Sequence, residues 1–160
     1  MLEKRWLLNM EAEGLKQIQV RTLTIKDYEA IVELWKRAGL PFKPRGRDSK
    51  RMIEKQMEAF LEFFIGAFHE DKLVGVVIGS YDGRMKSWIN RLAVDPAYRQ
   101  QRIAQQLISH VEEALEKRGA AIFCALIETP NEESVRLFQK MGYVAHKGVL
   151  YVTKRKSEEV

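Results

Sequence analysis
The stretch Arg91–Ile108 sets a strand, a turn and a helix in immediate succession. Ile89, Leu92 and Val94 are apolar without helical spacing and read as strand. Asp95-Pro96 ends it, because proline has no N–H for a ladder and biases the residue before it away from the helical region. Ala104, Leu107, Ile108, Val111 and Leu115 then fall on one face of a 3.6-residue period. Between strand and helix lies a short basic turn, Tyr98-Arg99-Gln100-Gln101-Arg102. A helix entered this way presents its first N–H groups and the positive end of its macrodipole outward, which suits phosphate.

The rest of the chain supplies a sheet and helices to surround that stretch. Ile18, Val20 and Thr22 alternate with polar residues as a first strand. Thr24 with Asp27 caps a helix whose apolar face is Tyr28, Ile31, Leu34, Trp35 and Ala38, with Gly39 as the C′ residue. A basic loop, Leu40-Pro-Phe-Lys-Pro-Arg-Gly-Arg47, follows, and Asp48 or Ser49 caps the next helix. Phe63–Phe68, Leu73–Ser80 and Trp88–Val94 predict three antiparallel strands. Ala121–Ile127 predicts a strand parallel to the last of these, because a helix crosses between them. Asn131 starts a last helix, and Tyr143–Ala145 with Val149–Val152 predict a closing hairpin. The organisation expected is an N-terminal arm (1–16), one domain (17–154) and a charged tail (155–160). The bulky apolar residues of the arm predict docking on the domain or on a second subunit, so a homodimer stays open.

A length of 160 residues fits one domain with a sizeable core. The net charge of +5 suits a polyanionic ligand. Its basic residues are dispersed without interleaved aromatics, so nucleic acid is not the expected partner. The lone Cys124 excludes a disulfide framework, and His69, His110 and His146 lack ligand spacing, so no metal is expected. No apolar run reaches the ~20 residues that span a bilayer. Trp6-Leu7-Leu8 is shorter than a secretory core of ~7–15 residues, and a cytoplasmic protein without a membrane partner is expected.

Leu92-Ala93-Val94-Asp95-Pro96-x-Tyr98-Arg99-x-x-x-Ile103-Ala104 resembles the acetyl-CoA-binding segment of the GNAT N-acetyltransferases, Gln/Arg-x-x-Gly-x-Gly/Ala. Arg99 and Ala104 match it; Arg102 stands where the family has its first Gly, and Gln100 where many members have another. Asn131-x-x-Ser134-x-x-x-Phe138-x-x-x-Gly142-Tyr143 resembles the second signature, Asn-x-x-Ala-x-x-x-Tyr-x-x-x-Gly-Phe. The resemblance covers about residues 18–153. It implies an α+β fold with a central mixed, mostly antiparallel sheet, splayed between strands 4 and 5, with helices on both faces.

By the same resemblance, acetyl-CoA is the co-substrate and an amine is acetylated by direct attack on the thioester. The backbone of Leu92, Ala93 and Val94 would take the pantetheine amides. Arg99, Gln100, Gln101, Arg102, Ile103, Ala104 and Gln105 would take the pyrophosphate, with Arg102 in an ordinary helical conformation as an added donor. Asn131 would meet the pantetheine arm or act as a plain N-cap. Ser134 completes the second signature, and Phe138 would pack by the thiol. Phe138 lacks the hydroxyl of the family's Tyr, so the proton would come from Tyr143, Tyr151 or Cys124, from water, or not at all. The strand Trp88-Ile-Asn90-Arg91 holds no carboxylate, which leaves Glu128 as base or as a solvated strand end. Lys43, Arg45 and Arg47 border the acceptor side and point to an acidic acceptor. A non-catalytic acyl-CoA-binding module is the alternative.

Overall fold
The computed structural model describes residues 17–160, and the arm expected at 1–16 lies outside the described residues. One sheet carries the strands β1 (Ile18–Thr22), β2 (Phe64–His69), β3 (Lys72–Tyr81), β4 (Lys86–Val94) and β5 (Ile122–Ala125), in that order. β1 to β4 are antiparallel neighbours, and β5 runs parallel to β4 as the crossover helix requires. The helices are α1 (Tyr28–Ala38), α2 (Lys50–Phe60), α3 (Ile103–Lys117) and α4 (Glu132–Lys140). Among the described residues, no helix is long and apolar enough to cross a membrane.

Period-two alternation along β2 and β3 separates two cores. Phe64, Phe68, Val76 and Ile78 pack with Ile31, Trp35, Ile53 and Met57 of α1 and α2. Ile65, Ala67, Val74 and Val77 pack with Ile103, Leu107, Val111 and Leu115 of α3 and with Phe138 of α4. Helices therefore cover both faces. α3 lies directly on the sheet because β3 carries glycine beneath it. A Cβ on Gly75 would stand 2.9 Å from the side chains of both Ile103 and Leu107.

Two sequence expectations are corrected. β5 ends at Ala125, short of Ile127. The closing hairpin is absent: residues 143–153 contain no strand, and Val144, Val149, Leu150, Tyr151 and Val152 are exposed. Alternating apolar residues form a strand only against a partner edge. β5 offers just four residues, and the chain end is held elsewhere, at the loop between α1 and α2.

A buried carboxylate ties three elements together where β4 turns toward α3. Asp95 is 3% exposed and accepts from Arg37 Nε of α1 at 2.9 Å and from the Ala97 N–H at 3.0 Å. Lys72 Nζ at the start of β3 stands 3.0 Å from the same carboxylate. Burial alone would push the Asp95 carboxyl up, but Lys72, the Ala97 N–H and Arg37 together hold it below the usual range. A carboxyl held low in the fold stabilises above its unfolded value of about 3.9 and loses that contribution as pH falls through its folded value. Asp95→Asn should therefore cost roughly 1–3 kcal/mol in denaturant unfolding at neutral pH. The gap between variant and wild type should close below about pH 4. Equal stability at pH 7 would contradict the role given to this knot.

Candidate active site
β4 has two neighbours over its first half and one over its second. Lys86 to Ile89 pair with Ile122 to Ala125, and then β5 ends. On the other side, Ile78 faces Asn90 and Val76 faces Ala93, so Arg91 and Leu92 share the single partner Val77. This is a β-bulge, which bends its strand and strengthens the twist. Arg91 takes the left-handed conformation, φ +54°, that such a bulge uses. The bulge turns β4 away from β5 and opens the sheet. The Asp95 N–H bonds Val74 O at 2.8 Å, so by alternation Ala93 also faces β3. The N–H and C=O groups of Leu92 and Val94 then face the opening. The splay expected between strands 4 and 5 is thus a product of one inserted residue.

The turn that follows aims donors at the same opening. Arg102 is the N-cap of α3, and the amides of Ile103, Ala104 and Gln105 find no acceptor among the described residues. They are the orphan N–H groups of a helix start. Arg99, Gln100 and Arg102 are exposed beside them; Gln101, Ala104 and Gln105 are partly exposed, and Ile103 is buried in the core. Arg102 does not take the ordinary helical conformation expected. Its φ is +59°, and Gln100 has φ +61°. The reason is positional: Arg102 precedes the first helical residue and must reverse the chain into it, so the φ restraint of a helix interior does not apply.

On the other face of β4, Arg91 fastens the α1–α2 loop. Its Nη1 donates to Pro41 O at 2.7 Å, its Nη2 meets the Asp48 carboxylate, and the guanidinium lies 4.3 Å from the Trp35 ring centre. Burial pushes the Arg91 pKa down, and Asp48 offsets part of that. Asp48 also accepts the Lys43 N–H at 2.7 Å. It is not a helix cap: Ser49 takes the N-cap position of α2, and no side chain caps there. Arg91 and Asp48 were not read as site residues from the sequence. The available signal was a lone cation, Arg91, between Ile89 and Leu92 in an otherwise apolar strand end.

The second signature lies across α4. Asn131 is an N-cap, its Oδ1 accepting from Ser134 N at 3.2 Å. Phe138 is buried, and its ring meets Tyr143 edge-on with centroids 4.9 Å apart. The Tyr143 hydroxyl donates to Glu112 of α3. Burial and then Glu112 push the Tyr143 phenol well above its ordinary range, and burial pushes Glu112 up as well. Glu128 is exposed, beyond the end of β5, and nothing joins it to Tyr143 among the described residues. No contact among the described residues joins the two residues expected to carry acid and base.

A side chain with a Cβ in the left-handed region costs about 1 kcal/mol or more. Arg102→Gly and Gln100→Gly should each raise stability by up to about 1 kcal/mol, less what glycine adds to unfolded-state entropy. Denaturant midpoints check this, and a loss exceeding 1 kcal/mol in either variant would show that the side chain contributes more than the strain costs.

A family model described as "Acetyltransferase (GNAT) family" matches residues 28–143, which span the α1–α2 loop, the splay and both signatures. A curated relative, Acetyltransferase SG1711 of Sodalis glossinidius, is 29% identical over 142 residues, covering 89% of this chain and 98% of that protein. Among solved structures, PaiA N-acetyltransferase from Thermoplasma acidophilum in complex with coenzyme A superposes with a TM-score of 0.72 at 21% identity, covering 83% of this chain and 93% of that one. Ard1 from Thermoplasma volcanium gives 0.70 at 20% identity, covering 79% and 82%. With its splayed mixed sheet and its helix start open to an anion, the chain belongs to the GNAT acetyltransferase family.

Proposed function
We propose that the protein transfers the acetyl group of acetyl-CoA to an amine. The observation that carries this is the opening beside β4, where unpaired backbone of Leu92 and Val94 lies next to the unpaired amides of Ile103, Ala104 and Gln105. A flat pantetheine chain needs amide partners, and a pyrophosphate needs clustered N–H donors; the opening offers both. Arg99 and Arg102, three residues apart, add guanidinium donors that match phosphate geometry. Phe138 supplies an apolar wall beside the reacting sulfur, and Asn131 with Ser134 fixes the start of the helix that carries it.

The reaction is attack of a neutral amine on the thioester carbonyl: a C–N bond forms, the C–S bond breaks, and the sulfur leaves as thiolate. Two proton transfers accompany it. Tyr143 is a poor donor for the second. A thiol has a pKa near ~8.5, and a phenol shifted upward from ~10 gives its proton to the thiolate only uphill. The thiolate therefore departs without a protein acid and takes its proton from water, and the Tyr143–Glu112 bond holds the Phe138 wall in place. Glu128 takes the amine's proton from the strand end through water. An acceptor enters over the α1–α2 loop, whose Lys43, Arg45 and Arg47 favour one with an acidic group.

A non-catalytic acyl-CoA-binding module is the second reading, favoured by Phe138 in place of a hydroxyl. Calorimetry with acetyl-CoA, followed by thiol release across an amine panel, separates the two: binding without turnover would leave the module. Ala104→Asp places a charge at the phosphate end and should abolish acetyl-CoA binding. Wild-type affinity in that variant would put the cofactor elsewhere.

A further inference from the structure
We propose that the α1–α2 loop is a binding site for an acidic peptide segment, and that the chain's own residues 155–160 occupy it as a competitor of the acceptor. The proposal deepens the acetyltransferase reading and rests on it only for the word acceptor. Glu159 is held at two points. Its carboxylate accepts from Arg45 Nη2 at 3.2 Å, and its main-chain carbonyl accepts from Arg47 N at 3.3 Å. The loop surface is shaped for that approach: a Cβ on Gly46 would fall 1.7 Å from the same carbonyl oxygen. Arg155 Nη1 closes the tail on itself by bonding Val160 O at 3.1 Å.

The charge of the loop is not cancelled from within. Lys43, Arg45 and Arg47 carry three cations in five residues. The nearest carboxylate, Asp48, is buried and turned inward to Arg91 and the Lys43 N–H, with Arg47 Nε at 3.8 Å. Arg91 in turn anchors the loop to the bulge of β4 through Pro41 and Asp48. An exposed pair such as Arg45–Glu159 contributes little alone. Recognition comes from the combination: a guanidinium for the side chain, a main-chain donor for the carbonyl, and glycine between them. That combination selects a turned peptide segment bearing a carboxylate, the form residues 156–159 take here.

The test uses the full chain and a fluorescently labelled probe peptide, Lys-Ser-Glu-Glu-Val, which copies residues 156–160. Glu159→Ala loosens the tail and should bind the probe about two- to fivefold tighter than wild type by anisotropy, the range an exposed ion pair allows. Adding Gly46→Ala to that variant should remove the gain, and a probe with both glutamates replaced by lysine should not bind. Acetyl-CoA affinity, measured on the same samples, should stay unchanged throughout. If acetyl-CoA binds equally and the probe does not distinguish Glu159→Ala from wild type, the proposal is wrong. Equal binding of the lysine probe would overturn it too. If no sample binds acetyl-CoA while the probe results hold, the acetyltransferase reading fails and the peptide site stands.

Discussion
Arg91 and Leu92 together face Val77 across the β3–β4 ladder, and that inserted residue decides where β4 parts from β5. The bulge bends β4 just past the point where its pairing with β5 stops. The bulge keeps Leu92 in the α3 core while Arg91 turns to the α1 side, beneath Trp35 and beside Asp48. A guanidinium taken out of water costs several kcal/mol unless it is paired. Asp48, Pro41 O and the Trp35 face offset that cost, and in doing so they seat the α1–α2 loop. One residue therefore opens the sheet on one side and fixes the loop on the other.

A second constraint sets the direction in which the chain leaves β4. Asp95 collects Arg37, Lys72 and the Ala97 N–H, so α1, β3 and the turn toward α3 meet at one carboxylate. From there two residues, Gln100 and Arg102, take left-handed backbone to bring the chain round into α3. Their strain lies next to the unpaired amides of Ile103 to Gln105. Strain of this kind persists where surrounding packing fixes it, and Gly75 beneath Ile103 and Leu107 shows how closely α3 is seated.

Much of this was legible in the sequence because it is periodic or punctuated. The apolar face of α3, the strand alternation and the end of α1 at Gly39 (φ +71°) follow from spacing and from glycine's tolerance of that angle. The conformation of Arg102 was not legible from spacing, since the helical period begins after it; the family's glycine at that point was the signal. The closing hairpin was misread because alternation reports which way side chains point and not whether an edge is available. Of the two residues open as a cap, Ser49 takes the position and Asp48 does not. An Asp before a helix suits a cap, and only the fold shows that Arg91 lies closer at hand.

Backbone groups are left open beside β4, and amide hydrogen exchange reads them directly. With saturating acetyl-CoA, the amides of Leu92, Val94, Ile103, Ala104 and Gln105 should gain protection. Those of Ser87 to Ile89, already enclosed between β3 and β5, should change little. Protection confined to other elements, with no change at Leu92, Val94 or the first turn of α3, would contradict the claim that the splay is where the cofactor lies.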